Sequence, residues 1–164
     1  MEVNMQKFIT GIGFTLTVIL FAFLLISGCA KQTDEDKIAV TTMSSEAKDD
    51  FLKGRELFEK LRQRESLQYF ENAFSKDNTF AMAYYYHTLA NPTTKGFFED
   101  LNYAVEASAS ASEGERLIIL ALKAGTDGNQ KLQEEHLKKL FELYTNDERS
   151  HGQLGLFYFG QQKY

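Results

Sequence analysis

The chain has 164 residues, 18 Lys+Arg against 23 Asp+Glu, and a net charge of -5. That acidic balance argues against nucleic acid as a partner, because such binding needs a basic footprint. A single cysteine leaves no disulfide within the chain, and one proline among many Ala, Leu, Glu, Lys and Gln residues suits a helical protein.

The first element is an apolar run without charges, Phe8 to Gly28, behind a short start that holds Glu2 and Lys7. A charged start, an apolar run and small residues before a cut point make a secretory signal. The one cysteine, Cys29, stands where this run stops and a polar, acidic stretch begins. Ile26-Ser27-Gly28-Cys29 resembles the lipobox of bacterial lipoproteins. The resemblance implies cleavage after Gly28, a lipid thioether on Cys29 and acylation of the new N-terminus. Several acyl chains together make a stable anchor where one gives only marginal binding. The other reading of the run is an uncleaved membrane-spanning helix, since roughly 20 apolar residues suffice to cross a bilayer. Either way, the chain beyond Cys29 is expected outside the cytoplasm.

The resemblance further implies a cell-envelope protein. Ala30 is compatible with sorting to the outer membrane, facing the periplasm or the surface. The acidic Thr33-Asp34-Glu35-Asp36 is similar to the tethers of some Bacteroidota surface lipoproteins, and it also reads as an ordinary solvated linker. The expected organisation is a signal peptide over 1–28, a lipidated Cys and polar, flexible tether over 29–45, and a helical domain over 46–164. Ser44 or Ser45 can cap the first helix.

Within the domain, four helical stretches each carry a small residue near the middle: Gly54, Thr88, Ala121 and Gly155. They are spaced 34, 33 and 34 residues apart, a period that belongs to stacked helix-turn-helix units. In the second half of the first unit, Glu65 to Asn78, Ser66 and Ala73 are small contact positions, Phe70 is a large knob, and Asp77-Asn78 ends the helix. These residues resemble a tetratricopeptide repeat (TPR). In later units Ser112 with Glu115, and Thr145 with Glu148, have capping-box spacing. The second unit adds Ala104 and Ala107 with a turn at Asn91-Pro92-Thr93-Thr94, and the third has Leu137 and Leu140 facing inward. The turn before the third unit's second helix is Gly125 to Asn129. The fourth unit carries Leu154, Gly155 and Tyr158, with Tyr164 on the family's aromatic near the turn. The resemblance implies an all-α, TPR-type α-solenoid of antiparallel helix pairs, about three and a half units with the last incomplete.

No constellation for chemistry is expected. His87, His136 and His151 fall on different helices without the i, i+4 spacing of a helical zinc pair, so neither a metal nor a cofactor is anticipated. No phosphate-binding glycine loop or nucleophile elbow is present in the sequence. What remains is a surface. In stacked helical units the first helices line the concave side. The resemblance places Arg55, Tyr85, Tyr86, Leu89, Ile119, Leu122 and Gln153 there, a set rich in the aromatic and Arg anchors of protein interfaces. Each of them can equally be a packing residue between neighbouring units. The expected function is a membrane-anchored scaffold, not an enzyme, that binds a protein or peptide. The alternatives are the recruiting front end of a longer enzyme or sensor, and a lipoprotein that captures small molecules.

Overall fold

The computed structural model describes residues 37–162. The expected signal peptide, Cys29, the tether before Lys37, and Tyr164 lie outside the described residues. The described chain holds seven α-helices: α1 (Ser45–Glu59), α2 (Gln63–Lys76), α3 (Ala81–Ala90), α4 (Thr94–Ala107), α5 (Glu113–Thr126), α6 (Gln130–Leu143) and α7 (Glu148–Gly160). A single 3-10 turn, Ser108–Ser110, follows α4, and no strand occurs among the described residues. The fold is all-α. No helix among the described residues is long and apolar enough to cross a membrane.

Local chemistry sets the helix starts. The Ser44 side chain accepts from Ala47 N–H at 3.1 Å and opens α1. Thr93 caps α4 by accepting from Gly96 N–H, and Asn129 caps α6 by accepting from Leu132 N–H. At α5 the box is complete: Ser112 accepts from Glu115 N–H, and the Glu115 carboxylate takes Ser112 N–H at 2.9 Å. Each such cap satisfies backbone donors that the helix itself leaves open. Between α5 and α6 the chain turns through Gly128 at φ +75°, a conformation that side chains beyond glycine rarely adopt.

The expected box of Thr145 with Glu148 does not form. Asp147 caps α7 instead, its Oδ1 taking Arg149 N–H at 2.8 Å, while the Thr145 carbonyl lies 2.6 Å from His151 Nε2. The reason is that Asp147 is wholly buried and bonded on its other oxygen to a distant part of the chain. That pins the helix start two residues later.

Helices adjacent in sequence pack as pairs, α1 with α2, α3 with α4 and α5 with α6, and α7 packs on α6. Bridges between pairs run α2 to α3 and α4 to α5, and α3 also touches α1 and α5. The small residues explain the close pairs. Gly54 on α1 faces Phe70 on α2, and Ser66, Phe70 and Ala73 are all fully buried. Thr88 and Ala121 are buried at the equivalent places of the next two pairs. One apolar core, with Phe51, Phe70, Phe80, Met82, Ile118, Ile119 and Leu140 in it, runs through these layers. Its first half is aromatic. Phe51 meets Phe80 at 4.9 Å, and Tyr86 meets Phe51, Phe58 and Phe70 at 5.4 to 5.7 Å between ring centroids.

Candidate functional site

The seven residues expected on the concave face divide into two groups. Ile119 is fully buried and Tyr85 is 4% exposed, so neither presents a surface in this structure. Burial pushes the Tyr85 phenol well above its usual range, and its oxygen accepts from Gln153 Nε2 at 3.0 Å. That bond joins α3 to α7. Both residues are buried because α3 is flanked by α1 and α5, so positions that face a groove in an open stack face a neighbour here.

The other five keep some surface. Leu89 is exposed, and Arg55, Tyr86, Leu122 and Gln153 are half-buried. The Arg55 guanidinium lies 5.9 Å from the Phe51 ring centroid, within reach of a cation–π contact, with Glu59 at 3.4 Å. Burial raises the Tyr86 phenol, and the charges of Arg55 on α1 and Arg149 on α7 pull it back. Side chains from the first and last units therefore act on one aromatic of the second.

Leu122 and Gln153 also line one cleft, of about 180 Å3, with Ala121, Gln133, Leu137, Leu156 and Phe157. It sits between α5, α6 and α7. Its walls are aliphatic and aromatic with two amides, Gln133 and Gln153. That size falls below the roughly 300 Å3 at which small-molecule pockets begin, and it suits a single side chain. Leu156, at its mouth, is 69% exposed. Leu89 and Arg55 are not among its lining residues, so the structure joins two of the five into a cleft and leaves the rest as a separate face.

A second feature was expected only as tether. Residues 37–44 are not a loose linker. They cross the junctions between helical pairs as an extended strap, and this shortens the expected 29–45 tether at its C-terminal end. Ile38 is 3% exposed and its N–H donates to Asp147 Oδ2 at 2.8 Å. Arg149 donates to the Ile38 carbonyl and also pairs with Asp147 at 2.8 Å. Thr41 N–H donates to Glu115 Oε1 at 2.9 Å, and Thr41 Oγ1 accepts from Ser112 N–H at 3.2 Å. Thr42 Oγ1 donates to Asp77 Oδ2 at 2.5 Å, and Met43 N–H donates to the same oxygen at 3.1 Å. Lys37 pairs with Glu148 at 2.7 Å.

The acceptors answer to the strap. Burial alone would raise Asp77 and Asp147, yet the hydrogen bonds they accept hold both below the ordinary carboxylate range, Asp77 at about 2. For Asp77 the donors are Thr42, Thr79 and Met43; for Asp147 they are Arg149 and Ile38. Among these residues, Asp147 was not singled out from the sequence, while Asp77 was read as part of a helix end and Glu115 as a capping partner. The signal that points to the strap is small: Ile38 and Val40, two β-branched residues with alternate spacing, inside an otherwise polar stretch.

Compared with known proteins, the chain matches no protein-family model and no curated protein.

Proposed function

We propose that this chain is a lipid-anchored, extracytoplasmic TPR-like α-solenoid that binds a protein or peptide partner and performs no catalysis itself. Three features of the sequence support it: the period near 34 residues, the small residues at Gly54, Thr88 and Ala121, and the lipobox-like Ile26 to Cys29. The helix pairs stacked in chain order agree with such an architecture. The observation that carries the binding reading is the side-chain-sized cleft with Leu122, Leu156 and Phe157 in its wall and the Gln133 and Gln153 amides beside them. Apolar walls take up a side chain, and amides can bond the backbone of whatever carries it. The partner segment is therefore one with a protruding apolar side chain. The aromatic face around Tyr86 and Arg55, with Leu89 beyond it, offers further contact.

A photo-reactive residue placed at Leu156 in native membranes tests this. It should give a discrete protein adduct, whereas the same group at Lys131, on the exposed side of α6, should not. Leu122→Asn, with helical circular dichroism retained, should abolish the adduct. Equal labelling from both positions, or none from Leu156, rejects the cleft as the binding place. The anchor is tested apart from this: a fatty-acid analogue should label the wild type and leave Cys29→Ser unlabelled.

A further inference from the structure

We propose that Asp77, Glu115 and Asp147 form a binding track for extended peptide segments, distinct from the cleft, and that residues 37–43 occupy it as a resident ligand in cis. The three carboxylates stand at three successive junctions, before α3, at the start of α5 and at the start of α7. Each takes one backbone N–H from the strap: Met43 to Asp77, Thr41 to Glu115, and Ile38 to Asp147. The strap runs opposite to the chain order of the helices it crosses. Its register is therefore matched to the spacing of the helical units, one main-chain bond per junction.

Three details make this a built site and not an incidental packing contact. First, Glu115 and Asp147 are both fully buried. A buried carboxylate is costly unless its oxygens are bonded, and beneath the strap each of these two takes one of its bonds from a strap N–H. With the strap drawn off, Asp147 keeps Arg149 on both oxygens and Glu115 keeps Ser112 on Oε2, which holds the track folded, while Glu115 Oε1 loses the Thr41 donor and Asp147 Oδ2 the Ile38 donor. Second, the place for Ile38 depends on Gly114. A Cβ there would lie 2.8 Å from Ile38 Cγ2 and 2.9 Å from the Tyr144 ring. Third, the Arg149 guanidinium reads the carbonyl of the same residue whose N–H Asp147 reads, so both polar groups of one residue are recognised.

These contacts define the ligand class. It is an extended chain with one β-branched apolar side chain, a free N–H on that residue and on residues three and five further along, and a hydroxyl between the last two. Recognition through main-chain groups gives affinity, and the single apolar place gives selectivity, as when a strand is added to an open edge. The strap is covalently tied to α1, so it competes at the millimolar effective concentration typical of short connections. The track is therefore closed until the strap is drawn off, and that strap is the segment nearest the expected membrane anchor.

The test uses the full chain in detergent and a fluorescein-labelled peptide of residues 37–44, followed by fluorescence anisotropy. Ile38→Asp places a charge in the apolar site and undocks the strap. The peptide should bind this variant saturably and bind the wild type at least about tenfold more weakly, given the tethered competitor. Adding Glu115→Gln and Asp147→Asn to Ile38→Asp should remove the binding. Equal binding to wild type and Ile38→Asp overturns the proposal, as does no binding to an Ile38→Asp chain that retains its helical circular dichroism. Should Ile38→Asp fail to fold, Thr41→Pro loosens the middle of the strap instead, removing the N–H that Glu115 takes and the hydroxyl that accepts from Ser112 N–H. Amide exchange at residues 38 and 43 should then be slow in wild type and fast in Thr41→Pro, while fast exchange in both refutes the docked strap.

Discussion

Gly54 and Gly155 hold the same place in the first and last helical units, and their surroundings are opposite. A Cβ on Gly54 would sit 2.6 Å from a Phe70 ring carbon, 2.8 Å from the next, and 3.1 Å from Tyr69 Cβ. A Cβ on Gly155 meets no described atom within 4 Å. One glycine is the floor of a helix–helix contact, and the other lies on an exposed face beside Leu156. A sequence pattern records only one side of a contact. Whether a small residue means close packing depends on the helix that arrives against it, here α2 in the first unit.

The largest effect expected from this contrast is at the knob. Phe70 is fully buried in the aromatic cluster of the first half, with Phe51 and Tyr86 around it. Phe70→Ala should cost about 3–5 kcal/mol, the range for truncating a buried aromatic. Leu156→Ala removes a side chain that is mostly in water, and should stay within about 0.5 kcal/mol. Urea unfolding of the two variants checks the contrast. Similar losses would mean that α7 carries a cover in solution that the described residues do not supply.

The glycines themselves give the next effect, and the sign should differ. Gly54→Ala forces a methyl into a rigid, buried ring and should destabilise by about 1–3 kcal/mol, the usual cost of overpacking. Gly155→Ala adds a methyl to open space in a helix interior and should stabilise by up to about 1 kcal/mol through helix propensity. Thermal melts of both variants read this directly. A gain at Gly54, or a loss at Gly155, would reverse the reading of the two environments.

These elements also show how far the sequence speaks. The Ser44 and Ser112 caps, the buried Ser66, Phe70 and Ala73, and the inward Leu137 and Leu140 were all legible, because each is a local or periodic feature. The start of α7 was not, since Asp147 is fixed by a bond to Ile38 across 109 residues. No periodicity encodes such a contact. The strap was lost for the same reason: its polar atoms pair with the junctions between helices, and polar composition alone reads as linker. Within the candidate site, Leu122 and Gln153 reach a cleft, whereas Ile119 and Tyr85 turn inward. Their place on α3 and α5 was legible in the sequence; how closely α3 approaches its flanking helices was not.

The smallest effect is one of pH, and it belongs to the first half of the molecule. His87 on α3 is nearly buried beside the Phe74 ring. Its Nδ1 lies 2.8 Å from Asp100 Oδ2 on α4, and its Nε2 lies 3.5 Å from Glu71 Oε1 on α2. Asn91 Nδ2 donates to the same Asp100 oxygen at 2.8 Å and helps hold it in place. Burial alone would lower the His87 pKa, but the bond and charge of Asp100, with those of Glu71, outweigh it and raise the pKa above its ordinary value. A histidine with a raised folded pKa stabilises fully below its unfolded value, and that stability is lost as pH rises through the folded value. Carboxylates as a class titrate below the window from about pH 6 to pH 9. His136 titrates there with the opposite sign, because burial and the charge of Arg116 lower its pKa, so the His87 share is the difference between wild type and His87→Gln. The His87 share is a modest fall in melting temperature across that window. His87→Gln keeps a polar side chain without the titration and should flatten the fall, and Asp100→Asn should reduce it by removing the principal charge. An unchanged slope in His87→Gln would show that this three-helix contact contributes nothing to stability through its proton.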